Sequence, residues 1–296
     1  MSSKPVIAVL GLGTMGAGMA HRLIGAGYPV KLFNRSPARY KAFENTPAVL
    51  GKSPAEAASG ADVVISMVSD DTVSRAVWLG PTGALSVARK DAILVECSTL
   101  SLDWIRELSA MARSQGCRFL DAPVTGSKDQ AEAGTLKFLV GGDAATLADV
   151  APVLGAMSVE AVPLGPVGSG TMLKLVNNFI CGAQIAALAE GLAVLRRSDL
   201  NQDVALNVLV KGAVSSPLIQ TILARVAADN FAPNFSVSLI EKDLTYAIRE
   251  AAKVGVELTS AESARVRFDQ ARTNGLGEQD IASLVKWLGS NNARAS

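Results

Sequence analysis

The first stretch of this chain whose residue types and spacing could do chemistry is Gly11-Leu12-Gly13-Thr14-Met15-Gly16. It fits the pattern G-x-G-x-x-G. It follows a short apolar run at residues 6–10 and opens a helix-like stretch at residues 15–24. In that context each glycine has its own task. Gly11 allows a tight turn, Gly13 lets the backbone approach a pyrophosphate, and Gly16 lets helix and strand pack closely. The helix start then offers unpaired N–H groups and a partial positive charge to the phosphates. The pattern predicts a dinucleotide site in which Gly11, Leu12, Gly13, Thr14, Met15 and Gly16 contact the cofactor.

The end of the second strand selects the dinucleotide. A domain that selects NAD usually carries Asp or Glu there to bind the ribose hydroxyls. This chain reads Phe33-Asn34-Arg35-Ser36, with Arg39 one turn on. No carboxylate is present to repel a 2′-phosphate, and Arg35 supplies a planar guanidinium that can bind one. Asn34, Arg35 and Ser36 are therefore expected at the cofactor, with NADP(H) preferred and NAD(H) possible. The alternative is that Arg35 is a solvated charge that stacks on the adenine.

Other chemistry is narrowed by what the chain lacks. His21 is its only histidine and falls on the helix after the glycine turn, past the phosphate site. It could serve a Ser-His-Asp triad but reads as a core or surface residue, and no metal site of two histidines can form. A general acid must come from Lys, Asp, Glu, Tyr or Cys. Cys97, Cys117 and Cys181 are far apart and odd in number, which argues against a disulfide framework or a Cys-based metal site.

The elements that must position these groups fall into two sets. Residues 6–10, 30–33, 63–67, 93–96, 119–121 and 136–140 read as strands, separated by amphipathic stretches such as 101–115. That alternation predicts an α/β domain with a parallel sheet covered on both faces. After the glycine-rich run at residues 165–170, one proline-free helix spans about 171–197. Stretches 202–211, 217–228, 237–254, 261–274 and 281–288 read as further helices, and no strand is read beyond residue 162. The expected organisation is a Rossmann-type dinucleotide-binding domain at 1–165 and an all-α domain at 166–296, joined by the long helix. The tail from residue 291 reads as frayed.

Of the 296 residues 49% are hydrophobic, and the formal net charge is +1. No basic stripe with interleaved aromatics is present, so nucleic acid is not an expected partner. The apolar stretch at residues 179–195 contains Gln184 and Glu190, with Lys174 just before it, and reads as a buried helix, not a membrane span. The opening residues are too short for a signal peptide, and cytoplasm is the expected compartment.

Three further stretches bear on the reaction. They are Asp121-Ala122-Pro123-Val124-Thr125-Gly126-Ser127; Gly165-Pro166-Val167-Gly168-Ser169-Gly170 followed by Lys174 and Asn178; and Glu241-Lys242-Asp243-Leu244. With the first glycine run, and over residues 6–288, they resemble the β-hydroxyacid dehydrogenase family. Its members include 3-hydroxyisobutyrate dehydrogenase, tartronate semialdehyde reductase and glyoxylate/succinic semialdehyde reductase. The resemblance implies an NADP(H)-dependent enzyme that interconverts a small aldehyde acid and its hydroxy acid, acting as a homodimer or homotetramer.

The resemblance also implies residue roles. Lys174 matches the family's catalytic lysine, and Asn178 the asparagine that orients substrate and lysine from the same helix face. Thr125, Gly126 and Ser127 match the loop that binds the substrate carboxylate, where small hydroxyls and backbone N–H groups suit an anion. The commoner form of that loop has serine and two glycines. The continuation Ser127-Lys128-Asp129-Gln130-Ala131-Glu132-Ala133-Gly134 is more similar to the glyoxylate/succinic semialdehyde reductase branch. Lys242 is expected at the nicotinamide end of the cofactor and Asp243 near Lys174. Thr99 matches a residue beside nicotinamide and substrate, and Met67 and Val68 the backbone under the cofactor ribose. Phe235 resembles an aromatic of the substrate pocket, with an ordinary core position as the equal alternative.

Two competing readings stand beside this one. Imine reductases share the two-domain plan but usually lack a lysine at the position of Lys174. A cofactor-binding protein without catalysis would have no need of Lys174, Asn178 and Asp243 together.

Overall fold

A computed structural model describes residues 4–291, and the remainder of the polar tail expected to fray lies outside the described residues. The chain divides into two compact units between Lys174 and Leu175.

The first unit alternates strand and helix. In order it contains β1 (Ile7–Leu10), α1 (Thr14–Gly25), β2 (Val30–Phe33), β3 (Val49–Leu50), α2 (Pro54–Ala58), β4 (Val63–Ser66) and α3 (Asp71–Trp78). These are followed by β5 (Ile93–Glu96), α4 (Leu102–Ser114), β6 (Arg118–Asp121), β7 (Val124–Thr125), α5 (Lys128–Ala133), β8 (Leu136–Gly142), α6 (Ala144–Gly155) and β9 (Ser158–Gly165). The strand order is β3-β2-β1-β4-β5-β6-β8-β7, with β9 also paired to β8. Strands β1, β4 and β5 are buried at every position, as expected of central parallel strands covered on both faces. Val9, Ile65 and Val95 pack with Met19 and Leu23 of α1 and Leu154 of α6. Leu10, Val64 and Leu94 pack with Trp78 of α3 and Trp104 and Leu108 of α4 on the other face.

The sheet is not wholly parallel, which corrects the sequence expectation. The chain leaving β6 passes through β7 and the short α5 and comes back along the sheet. Strand β8 therefore runs antiparallel to both β6 and β7, whereas a parallel neighbour needs a longer crossover. Strands β3, β7 and β9 were not foreseen. The first two are two residues long, and β9 is largely exposed and carries Pro163, which an edge strand tolerates.

Helix α7 (Ser169–Leu195) begins in the first unit and continues into the second. The second unit adds α8 (Gln202–Lys211), α9 (Pro217–Ala227), α10 (Val237–Lys253), α11 (Thr259–Ala271) and α12 (Ser283–Asn291), with no strand among its described residues. Its core joins Ile185, Ala189 and Leu192 of α7 to Ile222, Ile240, Leu244, Phe268 and Leu284. Asn201, Ser216 and Ser236 cap α8, α9 and α10 by accepting from Val204, Ile219 and Leu239 N–H. By length and composition α7 alone among the described helices could cross a membrane. It is buried along one side, with Val176, Ile180 and Val194 exposed, so the buried helix read from sequence at residues 179–195 also carries an exposed face.

Two helix ends also differ from expectation. Helix α11 passes after Ala271 into a single π-helical turn, Arg272–Leu276, in which Gly275 adopts φ +86 and the Asn274 side chain bonds back to the Gln270 carbonyl. Helix α12 starts at Ser283 because the buried Asp280 holds the preceding turn, its carboxylate accepting from Ala282 N–H at 3.1 Å.

Candidate active site

The Gly11–Gly16 turn connects β1 to α1, and its glycines are set by sterics. Gly11 has φ +100, and a Cβ there would lie 2.2 Å from the Met67 carbonyl oxygen. A Cβ on Gly16 would lie 2.0 Å from the Gly11 carbonyl oxygen. Gly13 is different, since a Cβ there would meet nothing within 4 Å. It is the N-cap of α1 and no side chain caps that helix. The exposed backbone at Gly13 and the uncapped helix start fit a dinucleotide phosphate, which needs approach to bare N–H groups.

Leu12 and Asn34 engage each other. The Asn34 carbonyl oxygen Oδ1 accepts from Leu12 N–H at 2.8 Å, and the Leu12 side chain is buried. Asn34 thus ties the end of β2 to the glycine turn, and the Leu12 N–H already has a partner. Tyr40 completes the latch, its hydroxyl accepting from Asn34 N–H and donating to the Gly51 carbonyl. Arg35, Ser36 and Arg39 are exposed beyond β2, with no acidic residue among them. Thr14 and Met15 are half-buried in the first turn of α1. His21 is exposed on α1 and stacks on Phe43 at 4.3 Å.

The ends of β4 and β5 are joined by a buried carboxylate that sequence inspection missed. Glu96 accepts from Ser74 Oγ and Trp78 Nε1, each at 2.8 Å, and from Ser98 N–H at 3.0 Å. Ser98 Oγ in turn accepts from Val68 N–H at 2.7 Å, and Met67 N–H donates to the Leu10 carbonyl. One network therefore holds Met67, Val68 and the segment leading to Thr99, which is half-buried. Burial pushes the Glu96 carboxyl above the usual range, and the bonds from Ser98, Trp78 and Ser74 pull against that. The neighbouring Cys97 thiol is pushed well up, first by burial and then by Glu96, so it is no thiolate nucleophile.

Thr125 ends β7, and Gly126 and Ser127 link it to α5. Gly126 is exposed at φ +122, and Thr125 and Ser127 are half-buried. Ser127 begins α5, where its N–H and its hydroxyl both bond Gln130 Oε1.

The second glycine-rich run leads into α7. Asp121, at the end of β6, is fully buried. Its carboxylate accepts from Gly168 N–H at 2.7 Å, Thr171 N–H at 2.8 Å and Thr171 Oγ1 at 2.9 Å. Burial raises its pKa and those three bonds oppose the rise. Small residues make room for the junction. A Cβ on Gly170 would lie 2.0 Å from the Leu139 carbonyl oxygen, and one on Gly141 would lie 2.3 Å from Asp121 Oδ1. Lys174 follows on α7 and is half-buried. Asp121 closes an apolar strand, as Glu96 does. An acid at the end of a buried strand was the available signal for both.

Within the helical unit three of the expected residues come together. Asn178 Nδ2 donates to Asp243 Oδ2 at 2.6 Å, and Lys242 Nζ lies 2.9 Å from Asp243 Oδ1. Asn178 and Asp243 are buried. Asn177, overlooked in the sequence, donates from Nδ2 to Asn178 Oδ1 at 3.0 Å. Lys242 Nζ also sits 5.1 Å from the Tyr246 ring. Phe235 is half-buried against the core of this unit, and its N–H and that of Asn234 donate to Asp280. Among the described residues no group of three or more His, Cys, Asp or Glu could hold a metal ion.

Residues 6–165 match the family described as the NAD binding domain of 6-phosphogluconate dehydrogenase. Residues 168–288 match the NAD-binding domain of NADP-dependent 3-hydroxyisobutyrate dehydrogenase. This chain belongs to the β-hydroxyacid dehydrogenase family. An uncharacterized oxidoreductase of Synechocystis sp. is 35% identical over 282 residues, covering 95% of this chain and 97% of that protein. The human cytokine-like nuclear factor N-PAC is 31% identical over 280 residues, covering 95% of this chain and 51% of the relative. The chain thus spans about half the length of the N-PAC proteins it matches. Among solved structures, a 3-hydroxyisobutyrate dehydrogenase of Mycobacterium tuberculosis described with L-serine superposes with a TM-score of 0.86. It is 31% identical, with 96% of this chain and 99% of that one covered.

Proposed function

We propose that this β-hydroxyacid dehydrogenase uses NADP(H) to interconvert a small aldehyde acid and its hydroxy acid, with Lys174 as the general acid and base. The substrate class is that of glyoxylate, succinic semialdehyde, tartronate semialdehyde or 3-hydroxyisobutyrate. The observation that carries the reading is the Asn178–Asp243–Lys242 cluster around a buried carboxylate, because Asn178 lies one turn beyond Lys174 on the same helix. L-serine, described with the Mycobacterium tuberculosis relative, is itself a small carboxylate bearing a hydroxyl.

The nicotinamide, when bound, supplies or accepts the hydride. In the reductive direction the substrate oxygen gains negative charge, and Lys174 Nζ gives it a proton. In the oxidative direction the same atom takes the proton back. Asp243 fixes the Asn178 amide by accepting from Nδ2, so its orientation is set before substrate arrives. Thr125, Gly126 and Ser127 bind the substrate carboxylate through hydroxyl and backbone donors, and Thr99 and Phe235 bound the substrate. Arg35, with Asn34 and Ser36, sets the preference for the 2′-phosphate.

The test is the oxidation of NADPH, followed by absorbance, with glyoxylate, succinic semialdehyde and the neutral butanal as substrates. The acids should be preferred over butanal. Lys174→Ala should keep NADPH affinity while turnover falls by roughly 10²–10⁴-fold, and Lys174→Arg should not restore it, since a guanidinium does not exchange its proton near neutral pH. Equal efficiency for butanal overturns the carboxylate loop. A Lys174→Ala enzyme that keeps more than about a tenth of wild-type turnover, with chemistry rate-limiting, overturns the role of the lysine.

A further inference from the structure

We propose that Asp121 is a positioning residue for the reaction, setting the axial and rotational register of α7 and thereby where Lys174 presents its ammonium. The proposal rests on the reading of Lys174 as proton donor. Helix α7 cannot cap itself in the usual way. Its N-cap, Gly168, has no side chain and sits at φ +97, and Gly168, Gly170 and Thr171 are all buried. Buried first-turn N–H groups need partners. Asp121 supplies them from a strand far away in sequence, bonding Gly168 N–H with one oxygen and Thr171 N–H and hydroxyl with the other.

Two anchor points on one turn do more than satisfy donors. Contact at Gly168 and at Thr171 fixes both how far the helix advances and how it is rotated. Lys174 is three residues beyond Thr171, so it emerges on the neighbouring face one turn later and follows any shift of the anchored turn. The anchor itself is rigid. Asp121 pairs with Gly141 in the sheet, Ala122 N–H donates to the Glu96 carbonyl, and Leu139 N–H donates to the Pro123 carbonyl. From there the chain runs directly into β7 and the Thr125-Gly126-Ser127 loop. The same carboxylate thus ties the start of the lysine's helix to the strand that leads to the substrate loop. The absence of side chains at Gly141 and Gly170 is what lets the contact form.

The chemistry of the carboxylate is specific. An amide at this position keeps one acceptor oxygen but turns an NH2 toward an N–H donor, leaving part of the helix start unpaired. A misplacement of about 1 Å can cost on the order of 100-fold in rate. The experiment compares Asp121→Asn, Thr171→Val and Thr171→Ser with wild type and Lys174→Ala. It measures turnover, the dissociation constant of NADP+ by fluorescence, and thermal melting. Asp121→Asn is expected to lose roughly 10- to 100-fold in turnover while NADP+ binds within about twofold of wild type. Thr171→Val should show a smaller loss of the same kind, and Thr171→Ser, which keeps the hydroxyl, should be close to wild type. If Asp121→Asn fails to fold, the Thr171 pair decides. Turnover unchanged in Asp121→Asn and Thr171→Val overturns the proposal. So does a loss of turnover that tracks the loss of NADP+ binding and of folded protein, which marks a merely structural residue. An inactive Lys174→Ala beside fully active Asp121→Asn defeats this proposal alone, whereas an active Lys174→Ala defeats the lysine assignment beneath it.

Discussion

The chain contains two glycine-rich turns that feed helix starts, and it treats them in opposite ways. The turn before α1 leaves its helix without a side-chain cap, and the space beside Gly13 is open. The turn before α7 is closed by the Asp121 carboxylate, bonded to two backbone N–H groups. Both use the same property, the unpaired donors and partial positive charge of a helix N-terminus. One is left for an anion from outside, and the other is filled by an anion of the protein. Glycine content alone does not distinguish a ligand site from a structural joint. What does is whether an internal acid already occupies the helix start.

The sharpest way to break the comparison is to add one methyl group at each turn. Gly170→Ala drives a Cβ toward the Leu139 carbonyl oxygen, so it should destabilise the fold by about 1–3 kcal/mol, the cost of overpacking. Gly13→Ala meets no protein atom, so melting should hardly change while NADPH affinity falls roughly 10- to 100-fold, as for a lost charge-assisted hydrogen bond. Denaturant titration and cofactor titration on both variants give a crossed pattern if the turns differ as described, and a parallel one if they do not. A smaller effect is expected beyond β2. Arg35→Asp should raise the Michaelis constant for NADPH about tenfold more than that for NADH, because it trades a phosphate partner for a repelling charge. Equal changes for the two cofactors would show that the outer end of the open site does not read the phosphate.

The smallest effect concerns Glu96, a second internal carboxylate, which joins side chains of α3 to the loop after β5 and not a helix start. Its pKa in the fold is raised, chiefly by burial. Between its unfolded pKa, about 4.3, and the raised folded value, the native state binds more protons than the unfolded state. The contribution of Glu96 to stability therefore falls as pH rises through that window. Glu96→Gln cannot ionise. The stability of wild type minus that of the variant, from denaturant melts at a series of pH values, should decline as pH rises. A flat or rising difference would mean that the hydrogen bonds from Ser74, Trp78 and Ser98 outweigh desolvation.

Much of this was legible in the residues. The central strands showed because they are apolar throughout, and α1, α4 and α10 because their apolar residues recur on one face. The glycine turn showed because its steric demands admit so few other residues. The return of β8 was not legible, because strand direction depends on how a connection folds and the period of two is the same either way. Asp121, Glu96 and Asn177 were passed over for a related reason. Asp121 acts on Gly168 and Thr171, and Glu96 on Ser74 and Trp78, groups that only the fold brings near, while Asn177 bonds its own neighbour Asn178, whose hold on Asp243 only the fold shows. Lys242 beside Asp243 was visible as a pair, but the sequence did not show that Asn178 shares the same carboxylate.

The atoms that a new Cβ would strike at Gly11, Gly16 and Gly170 are backbone carbonyl oxygens. No trimming of a neighbouring side chain can make room there, because the obstacle is the main chain itself, which every residue carries. At Gly182, on α7, the nearest atoms belong to the Leu244 and Ile240 side chains, and a smaller residue at position 244 could compensate for a larger one. The molecule therefore holds two kinds of glycine with different evolutionary freedom. Gly182 can be exchanged through a second-site suppressor, while Gly11, Gly16 and Gly170 can change only if the path of the chain changes with them.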